Sequence, residues 1–208
     1  MGIKPRKMTV GLGTNRIEGL TDGIFAFSMT LLVMTINLPD PAAHLVPLSQ
    51  LLISQSDKFY NYGLSFVLIA VVWLIHHQQF HVIRRTDHSH LWINIFLLMF
   101  VALIPFSTSL IGDYPRSAAA EIFFDLNLFV VGSLLFLNWA YATLGHRLVD
   151  SEMEEERIRS GWRRTLVMPL AALLAIGLAF FNPAYSSYAY LLIPVILAFP
   201  YFRSRGDQ

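Results

Sequence analysis

From Thr165 to Phe202 the chain carries no charged residue. A hydrocarbon core about 30 Å thick takes roughly 20 apolar residues per helical crossing. The run is therefore too long for one span, and the turn signal Asn182-Pro183 divides it into two. In lipid the backbone must satisfy its own hydrogen bonds, which makes such runs helices. Four further apolar runs precede this one. The predicted spans are residues 15–38, 59–81, 89–111, 121–145, 165–181 and 184–202, with Pro39-Asp40-Pro41 stopping the first. Pro105, Pro169 and Pro194 lie inside spans and predict kinks that neighbouring helices can tolerate. The expected fold class is all-α: an integral membrane bundle of six transmembrane helices, forming a single domain over residues 1–208.

Composition agrees. The 208 residues are 55% hydrophobic and 14% charged, against about 25% charged in a soluble domain. Six spans leave no room for a second, soluble domain. A formal net charge of +1 gives no reason to expect a nucleic-acid partner, and the absence of cysteine excludes disulfides and thiolate chemistry. The start, Met1-Gly2-Ile3-Lys4-Pro5-Arg6, has Arg6 where myristoylation wants Ser or Thr. Arg16, Glu18 and Asp22 interrupt the place where a signal peptide would be apolar, so this segment is expected to stay in the mature protein.

The basic residues orient the map. With the N-terminus in the cytoplasm, all of the 15 Lys and Arg except Lys58 and Arg116 fall on the cytoplasmic side, as the positive-inside rule requires. Both termini are expected there. Residues 150–164 mix acids with arginines and read as an exposed cytoplasmic helix or loop. Trp162 reads as an interfacial anchor, and Tyr185, Tyr188 and Tyr190 as part of an outer aromatic belt.

Span one has unusual chemistry. Arg16, Glu18 and Asp22 lie at or just inside the membrane boundary, where a charge is costly unless paired, hydrated or near headgroups. Arg16 and Asp22 are six apart and point to different helix faces, whereas Glu18 and Asp22 share one. Each therefore needs partners on another helix. Trp73, His76 and His77 in span two, with Trp92 and Asn94 in span three, are the polar groups at similar depth. Beyond Asp22, Phe27, Leu31 and Met34 recur at i, i+4 and i+7 with Thr30 beside them. Most such stripes are packing surfaces. A helical threonine can also bond back to the carbonyl four residues earlier, here Ala26.

Two other functions fit ionisable residues in a membrane. A proton- or ion-coupled secondary transporter would use Asp22, Glu18 and the histidines, but such folds show internal repeats, and none is visible here. A membrane enzyme could use His77 and His81 with His76, yet two ligands on one helix do not make a metal site. H-E-x-x-H and G-x-S-x-G are both absent. No enzyme activity, metal or cofactor is expected.

Arg16-x-x-x-Leu20-Thr21-Asp22 resembles the R-x-x-x-F-S-D motif of bacterial homologues of the lysosomal potassium channel transmembrane protein 175. The continuation through Phe27, Thr30, Leu31 and Leu32 is similar to that family's first helix. So are Trp73-x-x-His76-His77, and Trp92-x-Asn94 with Pro105-Phe106. Leu20 and Thr21 replace the motif's Phe and Ser, and Phe27 stands where the family has an aliphatic residue, usually Ile. The resemblance implies a homotetramer in a prokaryotic plasma membrane, with four first helices around a central pore. It implies potassium-selective conduction, with potassium as the permeant ion. Phe27, Leu31 and Met34 would be apolar constriction layers and Thr30 a hydroxyl ring at a cation site. Arg16, Thr21, Asp22, Trp73, His77 and Asn94 would form a polar network behind the pore. The chain has no T-V-G-Y-G segment, so a carbonyl-ring filter is not open to it.

Overall fold

The computed structural model describes residues 14–37 and 47–198. Nearly all of them are helical. α1 spans Asn15–Leu31 and tightens into a 3-10 turn over Leu32–Thr35. A short α2 (Leu48–Ser54) leads into α3 (Ser56–Val82), followed by α4 (His88–Asp113), α5 (Ala118–Thr143) and α6 (Glu155–Phe181). α7 (Pro183–Ser186), a 3-10 segment (Ser187–Leu191) and α8 (Leu192–Ala198) complete the described chain. Among the described residues five helices are long and apolar enough to cross a bilayer, and the shorter apolar stretch Pro183–Leu197 follows them.

Of the two forms expected for the charged segment, residues 155–164 take the helix. They are the first turns of α6 and run without a break into its apolar part. Ile158 and Ser160 are buried while Arg157 and Arg159 are exposed, so this extension is amphipathic. Trp162 is only partly exposed. Its indole N–H donates to Thr143 Oγ1 at 3.2 Å and its ring meets Phe136 edge-on, so it works as a helix–helix contact.

α4, α5 and α6 form the tightest part of the bundle. Ala171, Ala172, Ala175 and Ala179 line the buried side of α6, and small residues let helix backbones approach in lipid. Gly132 on α5 lies opposite Pro169 on α6: a Cβ there would stand 2.7 Å from the proline Cδ. The ring that costs α6 a backbone hydrogen bond is thus seated against a residue without a side chain.

Polar clasps hold the ends. On one side Lys58 Nζ reaches Asp113 Oδ1 at 2.7 Å, joining α3 to α4. On the other, Asp87 caps α4 by accepting from the His90 N–H at 2.9 Å and from the Tyr141 hydroxyl at 3.0 Å. Partial burial opposes its charge, but these donors and the nearby His90 and Arg147 outweigh it, and the Asp87 carboxyl sits below the usual carboxylate range.

Candidate functional site: the outward face of the first helix

α1 buries one stripe against α3 and α4: Ile17, Thr21, Phe25, Ser28, Leu32 and Thr35. This spacing of three to four residues is a helical face. Among the described residues the opposite face covers nothing. Phe27 is 62% exposed and Met34 68%, with Thr30, Gly23 and Ala26 exposed beside them. Leu31 lies on the flank and is partly buried. The stripe singled out in the sequence is therefore turned away from the bundle core.

The Thr30 hydroxyl donates to the Phe27 carbonyl at 2.8 Å. The acceptor is three residues back, where the sequence suggested Ala26. Back-bonding and outward exposure thus coexist. With its proton committed to the backbone, the hydroxyl offers only oxygen lone pairs to whatever lies on that face.

The six residues expected in one polar network divide. The Trp73 indole N–H donates to Asp22 Oδ1 at 2.8 Å, and the His77 ring stacks on Trp73 with centroids 5.3 Å apart. This group is partly exposed. Asn94 is not in it. Asn94 sits fully buried, and its Oδ1 accepts from His76 Nε2 at 2.9 Å. It is His76 and not its neighbour His77 that points inward, because adjacent helical residues face about 100° apart. Thr21 is buried, but its hydroxyl has no partner among the described residues. Arg16 is exposed and makes no hydrogen bond or ion pair among the described residues.

The inner group extends past what the sequence singled out. Asn94 Nδ2 donates to Asn138 Oδ1 at 2.7 Å, Asn138 Nδ2 donates to Gln79 Oε1 at 2.6 Å, and Gln79 Nε2 donates to the Leu135 carbonyl at 3.1 Å. At the other end of the bundle Asp125, fully buried, accepts from Ser186 at 2.6 Å and from Tyr190 at 2.7 Å. Tyr185 and Tyr188 are exposed, as an aromatic belt requires, but Tyr190 is fully buried by this bond. An ionisable residue inside a span marks a partner by default. Applied to Asp125 as it was to Asp22, that rule was the available signal.

Trp73→Phe removes one donor and keeps an aromatic ring. It is expected to lower stability by about 1 kcal/mol, the usual worth of such a bond in a membrane protein. Thermal unfolding in detergent, followed by light scattering, should show a lower midpoint. A midpoint equal to that of the unmodified protein would demote the Asp22–Trp73 contact to an incidental one.

Together these features define a multi-pass α-helical membrane protein whose first helix leaves one face exposed among the described residues. Residues 16–105 match the family described as endosomal/lysosomal potassium channel TMEM175. A potassium channel of Chamaesiphon minutus is 30% identical over 81% of this chain and 85% of its own length. A potassium channel of Streptomyces collinus is 28% identical over 89% and 92%. The crystal structure of a lysosomal potassium-selective channel TMEM175 homolog from Chamaesiphon minutus superposes with a TM-score of 0.79. It shares 27% identity, over 89% of this chain and 96% of that one. The chain belongs to the TMEM175 family.

Proposed function

We propose that this chain is one subunit of a homotetrameric, potassium-selective channel in a prokaryotic plasma membrane. Four copies of α1 surround the pore. The chain crosses the bilayer six times, and both termini are cytoplasmic. Phe27, Leu31 and Met34 form apolar constriction layers, and Thr30 supplies a ring of hydroxyl oxygens. Potassium is the permeant ion, and no cofactor takes part.

The outward face of α1 carries this reading. A single helix cannot enclose a pore, and this one leaves Phe27, Thr30 and Met34 uncovered by its own bundle. An apolar ring narrow enough to dewet forces an ion to shed water. Potassium holds its hydration less strongly than sodium, so the barrier favours it. Because the Thr30 proton is held by the Phe27 carbonyl, the oxygen can stand in for a lost water ligand. Asp22, exposed in the single chain about 10 Å along α1 from Asn15 at 1.5 Å per residue, is covered by the same assembly.

Thr30→Val keeps the branched shape and removes the oxygen. Planar-bilayer recording under mixed potassium and sodium should show a lower potassium-to-sodium permeability ratio, with the tetramer intact. An unchanged ratio would take Thr30 out of the selectivity mechanism. Saturable flux driven by a proton gradient would favour a coupled transporter instead.

A further inference from the structure

The bundle carries a second feature, away from α1. At its basic end, a cavity of about 250 Å³ opens between α3, α5 and the first turns of α6. Arg157 and Arg164 line it together with His77, His81, Ser160 and Thr165, and no Asp or Glu among the described residues does. Ser160 is 3% exposed, yet its hydroxyl has no hydrogen-bond partner among the described residues. The floor is closed by Trp139, whose indole N–H is already committed to the Ile158 carbonyl at 3.1 Å. The nearby acid Glu156 is held by Arg163 at 2.7 Å. Among the described residues the cavity therefore gathers positive charge and donors, including a buried hydroxyl without a partner, and no carboxylate.

A second cavity of about 230 Å³ adjoins it, sharing Ile75, Gln78 and Arg164. Its remaining lining is Val71, Leu74, Pro194 and Leu197, all apolar. On α3 the sequence runs from His81 through Gln78 and Leu74 to Val71, so the groove passes from the charged end of the helix toward its middle. At 1.5 Å per residue that is about 15 Å. The two cavities make one groove with a basic head and an apolar limb.

We propose that this groove binds an anionic glycerophospholipid, with its phosphate among Arg157, Arg164 and Ser160 and an acyl chain along Leu74 and Leu197. Charge complementarity selects the head, since basic pockets between transmembrane helices suit anionic headgroups. A free phosphate would use the head alone and leave the apolar limb without a function. The site meets the α1 contact only at His77, which stacks on Trp73, and the proposal does not depend on what the pore conducts.

Native mass spectrometry of the purified full chain tests this, with phosphatidylglycerol, phosphatidylcholine and inorganic phosphate as separate additions. Phosphatidylglycerol should be retained saturably, one per chain, and more tightly than phosphatidylcholine. Arg157→Gln, at an exposed position where folding is not at stake, should weaken retention about fivefold, the effect of one arginine near a lipid headgroup. Leu74→Trp fills the apolar limb and should weaken lipid retention without touching the head. Equal retention of the two lipids overturns the proposal, as does unchanged retention in Arg157→Gln. Displacement of the lipid by inorganic phosphate identifies a free-anion site and overturns it too. A Leu74→Trp variant that loses its oligomer but keeps its lipid marks the groove as a contact between copies, which likewise overturns it.

Discussion

Asn138→Leu is expected to cost about 2–4 kcal/mol and to lower the yield of folded protein sharply. Asn138 is fully buried on α5 and serves two neighbours at once, accepting from Asn94 on α4 and donating to Gln79 on α3. The bonds run in one direction, from His76 through Asn94 and Asn138 to Gln79 and the Leu135 carbonyl. Leucine keeps the branched heavy-atom shape of asparagine and leaves no cavity, but its methyl groups are bulkier, so some crowding adds to the lost hydrogen bonds. On one side it takes away one of the two acceptors of Asn94 Nδ2, which keeps the His90 carbonyl at 2.8 Å. On the other side it orphans Gln79 Oε1. A buried polar group left without a partner costs about 1–3 kcal/mol, while single interhelical bonds in lipid are worth less. Thermal unfolding in detergent measures the sum. The double variant Gln79→Leu with Asn138→Leu should recover part of it, because the second change removes the stranded acceptor. A midpoint unchanged in Asn138→Leu would show that the relay contributes specificity and no stability.

The contrast between Asp22 and Asn138 marks what could be read from the sequence. Long apolar runs with few charges announce themselves by length, and five of the helices are evident from that alone. Charges near the start of a span stand out against it, so Asp22 and its need for a partner were visible, and Trp73 supplies that partner. Amides stand out less. Asn94 is singled out, but Asn138 and Gln79 look like ordinary polar residues within spans, and only packing shows that they meet.

Face assignment was the other limit. His76 and His77 are adjacent, and one residue of rotation decides which is buried. The structure turns His76 to Asn94 and leaves His77 stacked on Trp73 at the surface. Tyr190 illustrates the same point. It shares a tyrosine-rich stretch with Tyr185 and Tyr188, but a 3-10 segment over Ser187–Leu191 carries it inward to Asp125. The start of α6 was hidden for a different reason. Its charges read as an exposed cytoplasmic helix or loop, and did not show that the helix is continuous with the span or that Ile158 and Ser160 are buried on one side of it.

Phe27→Ala is expected to raise single-channel conductance on the order of tenfold. In the proposed tetramer four phenyl rings close the first apolar layer, and each is uncovered by its own chain. Truncating them widens the ring without removing an oxygen ligand, since Thr30 keeps its bond to the residue 27 carbonyl, which is backbone and survives the substitution. A lower dehydration barrier acts directly on the rate: about 1.4 kcal/mol is a factor of ten. Folding should be indifferent, because Phe27 is not part of the buried core. Phe66→Ala serves as the control, being another exposed phenylalanine, on α3. It should leave conductance as it was. Recording the three proteins at equal potassium on both sides separates the cases. Higher conductance in Phe27→Ala alone places the ring in the ion path. Equal conductance in all three would remove Phe27 from the constriction and leave Leu31 and Met34 as its remaining apolar layers.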